Sequence, residues 1–234
     1  MVHKQRVMSR KNVLITGTSQ GIGLATAKRF IKEEGYTVYG FDKQPCPEEL
    51  ARNGKYAHFD ISVTDPEEFV VLEAMDYVIC NAGIQTAPEV GEVMLTNFWG
   101  VDNIIKTYAL QNLCKSVVIV GSVSGITGAE FDEYVASKGA LVPYTKYIAN
   151  YMSKWGGICN CIAPGGVLTE LNKPVMENKE LWNKIMDLTP LKRWAEPEEI
   201  ADWIYFLATQ RFCTGQTIVV DGGESIKTNF IWPS

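Results

Sequence analysis

Short apolar runs that alternate with helical patterns constrain the fold of this chain more than any other feature. The run from Ser116 to Gly121 reads S-V-V-I-V-G and is apolar throughout, which is typical of a strand buried on both faces. Comparable runs begin near Asn12, Tyr36, Lys55, Asp76, Gly157 and Gln216. Strands that alternate with helices predict parallel pairing through right-handed crossover connections. We therefore predict an α/β protein with a doubly wound parallel sheet and helices on both faces.

The size and charge of the chain fit one domain with a small-molecule partner. A chain of 234 residues with 46% hydrophobic content can form one large core. The charged fraction of 21% and the net charge of −5 argue against a nucleic-acid groove or an anionic membrane surface. No apolar run approaches the ~20 residues that a membrane helix needs. We expect one domain over 1–234, with a flexible leader over 1–11.

Cysteine and histidine usage indicates a reducing compartment and no metal. The six cysteines form no C-x-x-C pair, and we interpret them as free thiols in the cytoplasm. The two histidines are His3, in the leader, and His58, in a strand-like run. Because these are the only two histidines, a zinc site or a Ser-His-Asp hydrolase is improbable.

A glycine-rich turn over residues 16–23 reads T-G-T-S-Q-G-I-G. It follows a strand and opens a helix, the context in which such a turn holds a pyrophosphate at the helix N-terminus. The next strand ends at Asp42, nineteen residues after Gly23. A carboxylate there is placed to bind ribose hydroxyls and to repel a 2′-phosphate, which favours NAD over NADP. The neutral Gln20 in the turn also favours NAD, whereas Lys43, directly after Asp42, weakens this preference. In the alternative interpretation, Asp42 only begins a turn and binds no cofactor.

Tyr134 and Lys138 are four residues apart, so on a helix they lie on one face, one turn apart. The ammonium is expected to favour the phenolate and bring the phenol closer to the range of proton exchange at neutral pH. Ser122, held beside the phenol, could stabilise charge on a carbonyl oxygen. This pattern indicates a site that moves a proton on and off an oxygen while another group moves a hydride.

Other segments carry structural expectations. Residues 65–68, D-P-E-E, predict the start of a helix, and Pro143 is expected to bend the helix of Tyr134. Tyr144, Tyr147 and Tyr151 form an aromatic stripe for core packing or a subunit contact. The apolar, partly helical stretch 170–194 predicts a lid over a substrate pocket, or else a plain surface excursion.

In sum, these motifs resemble those of the short-chain dehydrogenase/reductase family, in its compact single-domain branch. The resemblance spans residues 16–223 and rests on T-G-T-S-Q-G-I-G, Asp60, N-A-G at 81–83, Asn97, Ser122, Y-V-A-S-K at 134–138, P-G-G-V-L-T at 164–169 and D-G-G at 221–223. Within the family it is nearest to 3-oxoacyl-carrier-protein reductases and dihydrodiol dehydrogenases. The family implies a seven-stranded Rossmann-type sheet in the order 3-2-1-4-5-6-7 and a homodimer or homotetramer built on the helices of Asn97 and Tyr134.

The resemblance also implies a set of site residues. The implied catalytic residues are Asn97, Ser122, Tyr134 and Lys138, with Asn97 anchoring a water in a proton relay. The implied cofactor residues are Gly17, Ser19, Gln20, Gly21, Ile22, Gly23, Asp42, Asp60, Ile61, Asn81, Ala82, Gly83, Tyr134, Lys138, Pro164, Gly165, Val167 and Thr169.

Two spacings depart from the family pattern. Asn81 and Asn97 are sixteen residues apart, a shorter interval than usual, which bears on the start of the Asn97 helix and on one pocket wall. Ser122 is one residue closer to Tyr134 than the commonest spacing, so Ser124 competes for its role. Ser122 is preferred because Gly125 then aligns with the glycine that follows the family serine.

The leading hypothesis is an NAD(P)-dependent oxidoreductase for a secondary alcohol and ketone, with Tyr134 as general acid/base. Candidate substrates are 3-oxoacyl thioesters, cyclic diols or other medium-sized ketones. A non-catalytic dinucleotide-binding regulatory or scaffold protein is the alternative. An epimerase or dehydratase is less favoured, because those chains generally carry a further substrate domain.

Overall fold

The computed structural model describes residues 10–226, which contain one seven-stranded sheet. The strands are β1 (Lys11–Thr16), β2 (Tyr36–Asp42), β3 (Tyr56–Asp60), β4 (Tyr77–Cys80), β5 (Ser116–Val120), β6 (Ile158–Pro164) and β7 (Thr217–Val220). They pair in parallel in the order β3-β2-β1-β4-β5-β6-β7, which confirms the predicted fold class and strand order. β1 begins at Lys11, the last residue of the predicted leader, and residues 1–9 of that leader lie outside the described residues.

The helices are α1 (Gly21–Lys32), α2 (Glu92–Met94), α3 (Gly100–Ile104), α4 (Ser124–Thr127), α5 (Asp132–Met152), α6 (Lys173–Glu177), α7 (Lys179–Leu188) and α8 (Pro197–Thr209). Wider π turns at Leu95–Trp99 and Ile105–Leu110 join α2 and α3 into one helical stretch over 92–110. Within the described residues, no helix is both long enough and apolar enough to cross a bilayer.

Two hydrophobic cores, one on each face of the sheet, hold the layers together. On one face, Val13 of β1 belongs to a buried cluster with Phe30 of α1 and Ile204 of α8. On the other face, Leu14 belongs to a cluster with Ile148 of α5. Successive strand residues point to opposite faces, so a strand covered on both sides must be apolar at every position.

The connection from β3 to β4 differs from the prediction of a helix. Pro66–Glu68 form a single turn, begun by the Asp65 carboxylate, which accepts the N–H of Glu67 at 3.0 Å. No helix follows before β4. The carbonyl of Val70 instead accepts the hydroxyl of Tyr108 at 2.8 Å, so a tertiary contact takes the place of a helical hydrogen bond.

Helix α5 runs without interruption through Pro143, whose side chain is exposed. The aromatic stripe on this helix divides between two environments. Tyr144 donates to a carboxylate oxygen of Asp102 at 2.7 Å, whereas Tyr147 and Tyr151 are exposed. Tyr144 therefore packs internally, and the other two tyrosines remain available for a subunit contact.

Candidate active site

The turn between β1 and α1 brings the backbone close enough to cradle a phosphate. Gly17 has a φ of 73°, in the left-handed region that favours glycine. A Cβ on Gly23 would lie 1.9 Å from the carbonyl oxygen of Gly17, so only glycine allows α1 to begin this close to the turn. The side-chain amide of Asn81 donates to the carbonyls of Thr16 and Gly17 at 3.0 and 3.1 Å and fixes the turn.

The N-terminus of α1 is suited to an anion. Gln20 makes no side-chain capping hydrogen bond, and the first turn of the helix holds no acidic residue. Free N–H groups at such a terminus bind phosphate groups. The turn and the helix terminus together fit the pyrophosphate of a dinucleotide.

Asp42 at the end of β2 closes the adenosine side of this turn. Its carboxylate accepts the N–H of Ser19 at 2.9 Å and the N–H of Gln44 at 2.9 Å. A carboxylate has about four acceptor positions, so it retains capacity for the hydroxyls of a ribose. Asp60 is paired with Asp42 in the sheet register and is exposed.

A cavity of about 1080 Å³ lies along the carboxyl ends of the strands, where open α/β sheets bind ligands. Most of the predicted site residues line it: Gly17, Gln20, Gly21, Ile22, Asp42, Ile61, Asn81, Ala82, Gly83, Ser122, Tyr134, Lys138, Pro164, Gly165, Val167 and Thr169. Four others lie outside the lining, namely Ser19, Gly23, Asp60 and Asn97.

Tyr134, Ser122 and Lys138 meet at one end of this cavity. The side chains of Ser122 and Tyr134 both line the cavity, and Ser122 lies near enough to the phenol to lower its pKa. The Lys138 ammonium lies 5.8 Å from the centre of the Tyr134 ring and donates to the carbonyl of Val120 at 2.9 Å. Strand β5 therefore positions Ser122 and binds Lys138, while α5 presents Lys138 and Tyr134 on one face.

The protonation of this group differs from the expectation based on spacing. Burial raises the pKa of Tyr134 to about 12, against a lowering by the Ser122 hydrogen bond, and the charge of Glu130 adds to the rise. Burial also lowers the pKa of Lys138 to about 8. The prediction that the ammonium brings the phenol toward neutrality is wrong here, because desolvation outweighs any attraction between the two groups.

The geometry distinguishes Ser122 from Ser124. Ser122 acts on the pKa of the Tyr134 phenol, whereas the hydroxyl of Ser124 donates to the Glu130 carboxylate at 2.9 Å. A Cβ on Gly125 would lie 2.5 Å from the carbonyl carbon of Lys138, so this glycine allows α4 to pack against α5. This close contact supports the alignment of Gly125 with the glycine that follows the family serine, which is the reason for preferring Ser122.

Asn97 lies behind the cavity wall and is fully buried. Its side-chain amide accepts the N–H of Ile84 at 2.9 Å and donates to the Ile84 carbonyl at 2.8 Å and to Ser137 at 3.0 Å. A Cβ on Gly83 would lie 3.0 Å from the Asn97 amide oxygen and 3.3 Å from the Lys138 nitrogen. Asn97 thus ties a cavity loop to α5 close to Lys138, and its role as a water anchor stays a prediction.

Segment 164–169 forms the wall opposite the glycine-rich turn. The carbonyl of Pro164 accepts the N–H of Val123 at 2.9 Å, and the N–H of Gly165 donates to Val220 at 3.0 Å. These bonds hold the segment between β5 and β7. A Cβ on Gly21 would lie 3.1 Å from the Thr169 methyl group, so the segment approaches the start of α1 closely.

The sequence analysis did not single out Glu130 and Glu224, which line the same cavity, and it placed Trp194 only within the predicted lid. Burial raises the pKa of Glu224, and the charges of Asp221 and Glu130 contribute to the rise. Trp194 is buried, and its ring packs edge to face on Trp182 of α7 at 5.0 Å. No periodicity or motif marks these positions, because loops from three parts of the chain bring them together.

Comparison with known proteins identifies the family. A sequence model of the family described as enoyl-(acyl carrier protein) reductase matches residues 17–225. The chain belongs to the short-chain dehydrogenase/reductase family. It is accordingly an NAD(P)-dependent oxidoreductase, and the glycine-rich cradle described above fits that cofactor.

Named members of the short-chain dehydrogenase/reductase family resemble the chain over nearly its full length. Glucose 1-dehydrogenase of Gluconobacter oxydans is 32% identical, over 97% of this chain and 96% of that protein. A 3-oxoacyl-acyl-carrier-protein reductase of Vibrio cholerae is 31% identical, over 91% of this chain and 96% of that protein. The solved structure of a 4-hydroxyisoleucine dehydrogenase mutant with NADH and succinate superposes with a TM-score of 0.84 and 26% identity, covering 94% of this chain and 100% of that one.

Proposed function

We propose that the protein interconverts a secondary alcohol and a ketone, with Tyr134 as the general acid/base. The observation that carries the proposal is that Tyr134, Ser122 and Lys138 line the same cavity into which the dinucleotide turn opens. A nicotinamide cofactor supplies or accepts the hydride when bound. Tyr134 exchanges a proton with the substrate oxygen and Ser122 hydrogen-bonds that oxygen, while Lys138 would hold the nicotinamide ribose.

The preferred cofactor in this proposal is NAD, with NADP disfavoured. Asp42 places a negative charge at the end of β2 beside the phosphate turn, where it would repel a 2′-phosphate. The cofactor-binding roles of the remaining glycine-turn and 164–169 residues belong to the same proposal.

The substrate in this proposal is a medium-sized alcohol or ketone covered by a lid over 170–194. Leu171, Val175 and Ile185 from this segment line the cavity, which supports an apolar cover. The relatives named above act, by their names, on a sugar, a 3-oxoacyl thioester and a hydroxy amino acid. We propose to screen those classes together with cyclic diols.

Assembly and location complete the proposal. The exposed Trp99 on the 92–110 helix and Tyr147 and Tyr151 on α5 support a homodimer or homotetramer built on these helices. All six cysteines are free thiols, four of them buried, which supports a reducing cytoplasm.

The test replaces Tyr134 with Phe, which keeps the ring and removes the proton. We expect Tyr134→Phe to lower the turnover number by at least about a hundredfold, at the low end of general acid–base contributions, while NADH binding stays intact. The matched control is Tyr151→Phe, an exposed tyrosine on the same helix. Undiminished turnover in Tyr134→Phe would contradict the proposal, and a wild-type protein that binds NADH but turns over no substrate would favour the scaffold alternative.

A further inference from the structure

A row of hydrogen bonds connects strand β3 to the glycine-rich turn and to the loop after β2. The Tyr56 hydroxyl lies 2.8 Å from the Thr18 hydroxyl and 2.8 Å from Nδ1 of His58. Nε2 of His58 lies 2.9 Å from the carbonyl oxygen of Gln44. We call this set, Thr18, Tyr56, His58 and Gln44, the cross-strand row. It joins the turn that fits a pyrophosphate to the loop that follows Asp42.

The carbonyl at one end fixes the direction of the donors in the cross-strand row. The Gln44 carbonyl can only accept, so Nε2 of His58 carries a proton. In the neutral imidazole Nδ1 is then an acceptor, and the Tyr56 hydroxyl donates to it. The Tyr56 oxygen in turn accepts the proton of Thr18. Loss of the Tyr56 hydroxyl alone therefore breaks two bonds of the row.

Strand β2 leaves room for this row at Gly40. Tyr56 and His58 are two residues apart on β3 and share one face of the sheet, and His58 is the register partner of Gly40. A Cβ on Gly40 would overlap the Tyr56 hydroxyl oxygen and would lie 2.5 Å from the Thr18 hydroxyl oxygen. Glycine inside a strand weakens the strand. The chain thus loses sheet stability at the one position where a side chain would break the row.

The loop end of the row also determines how Asp42 is oriented. The Asp42 carboxylate accepts the N–H of Ser19 and the N–H of Gln44, each at 2.9 Å. The Ser19 hydroxyl donates to the carbonyls of Gln44 and Pro45 at 3.1 Å. Gln44 is therefore held through its N–H by Asp42 and through its carbonyl by Ser19 and His58. Its position in turn holds the carboxylate of Asp42.

Tyr56 and His58 can influence a bound cofactor only through other residues. Of the described members of the row, only Gln44 lines the cavity, beside Asp42 and Lys43. Tyr56 and His58 are half-buried behind them. Their effect on a ligand must pass through the loop after β2.

We propose that Tyr56 and His58 are positioning residues that set the affinity for the cofactor and the preference for NAD over NADP. They hold Gln44 and, through it, the Asp42 carboxylate in place before the cofactor binds. The inference rests on the NAD preference in the proposed function and adds the residues that maintain it. Without the row, the loop must be ordered on binding, which costs affinity, and a displaced Asp42 repels a 2′-phosphate less.

A purely structural role for the row predicts a different result. In that case the loss of a hydrogen bond would lower the stability of the protein and leave the cofactor affinity of the folded state unchanged. Tyr108 offers the matched control, because its hydroxyl donates to the Val70 carbonyl at 2.8 Å and it lies outside the described lining of the cavity. Tyr108→Phe removes a hydroxyl bond of the same length far from Asp42.

The first measurement is the dissociation constant of NADH and of NADPH, by calorimetry, for wild-type protein and each variant. We expect Tyr56→Phe and His58→Leu to bind NADH roughly threefold to tenfold more weakly, the range for the loss of one hydrogen bond. The ratio of the NADPH constant to the NADH constant should fall in both variants. His58→Gln should keep most of the affinity, because its amide can still donate to Gln44. Tyr108→Phe should keep the wild-type constants.

Two further readouts separate positioning from catalysis. Without cofactor, the N–H groups of Ser19 and Gln44 should exchange with solvent faster in His58→Leu than in wild-type protein. With the most active alcohol from the proposed screen, kcat at saturating NAD should stay close to wild type while the KM for NAD rises.

Unchanged NADH affinity in both Tyr56→Phe and His58→Leu, an unchanged ratio of the two constants, or an equal loss in Tyr108→Phe would overturn the inference. Failure of the proposed function is distinguishable from this. Wild-type protein would then bind NADPH as tightly as NADH or would turn over no alcohol, while NADH affinity and amide exchange still report on the row. Circular dichroism identifies a variant that misfolds, and the comparison of His58→Leu with His58→Gln tests the row without Tyr56→Phe.

Discussion

At the scale of one residue, the buried charge of Lys138 lowers the stability of the fold while it serves the proposed active site. Its ammonium is buried and has one hydrogen-bond acceptor, the carbonyl of Val120. Burial lowers its pKa from 10.5 to about 8, a difference that corresponds to on the order of 3 kcal/mol. The unfolded chain binds more protons than the folded one between these two pH values, so stability rises with pH across that window.

We predict that Lys138→Met is inactive yet at least as stable as wild-type protein at pH 7. The substitution removes a buried charge, and a methionine fills a similar volume. The gain should be largest below about pH 8 and shrink as the pH rises toward 10.5, because the folded-state lysine is then neutral and the unfolded-state lysine is losing its proton. Urea unfolding of both proteins at pH 7 and pH 10 measures this difference in unfolding free energy.

Lys146→Met, an exposed lysine on the same helix, is the control. A Lys138→Met protein clearly less stable than wild type at pH 7 would show that the hydrogen bond to Val120 matters more than desolvation.

At the scale of elements, the active site depends on the contact between α4 and α5. Gly125 makes that contact possible, because a Cβ there would lie 2.5 Å and 2.6 Å from backbone atoms of Lys138 and Gly139. Backbone atoms cannot move aside as a flexible side chain can. The contact fixes the positions of Ser122 and Ser124 relative to Tyr134.

We predict that Gly125→Ala destabilises the fold by about 1–3 kcal/mol, the usual cost of overpacking. Alanine is otherwise favoured over glycine in a helix, so a loss of stability would come from the crowded contact. Activity should fall further than stability, since the two helices would separate at the catalytic groups. Thermal unfolding and alcohol turnover are the measurements.

Gly54→Ala serves as the control for this substitution, because a Cβ there meets nothing within 4 Å. Equal stability and activity of Gly125→Ala and Gly54→Ala would contradict the explanation that crowding between α4 and α5 causes the loss.

At the scale of the whole molecule, the cofactor site joins parts of the chain that lie far apart in sequence. The cavity is lined by the turn after β1, by Asp42 at the end of β2, by residues 81–83 after β4 and by segment 164–169 at the end of β6. A ligand that bridges these parts binds the folded state and stabilises all of it by mass action.

We predict that NADH at a hundred times its dissociation constant raises the unfolding free energy by about 2.7 kcal/mol. NADPH at the same concentration should stabilise less, because Asp42 opposes a 2′-phosphate. Asp42→Ala should reduce the difference between the two cofactors. Thermal shift titrations measure all three effects, and equal shifts for NADH and NADPH in wild-type protein would contradict the cofactor preference.

Local sequence rules predicted the sheet and much of the lining of the cavity. Continuous apolar runs such as 116–121 require burial on both faces, glycines at 17–23 allow a close turn, and the spacing of Tyr134 and Lys138 sets one helix face. Each of these properties depends on residues near one another in the chain. For that reason the sequence alone predicts them.

Tertiary structure decided the rest. The raised pKa of Tyr134 comes from burial by packed neighbours, and the hydrogen bond from Ser124 to Glu130 depends on how a loop folds back on α4. The missing helix before β4 follows from the contact between Val70 and Tyr108, which are distant in sequence. Desolvation and hydrogen bonding between separate elements depend on distances that only the folded chain sets, whereas residue spacing fixes the geometry within one element.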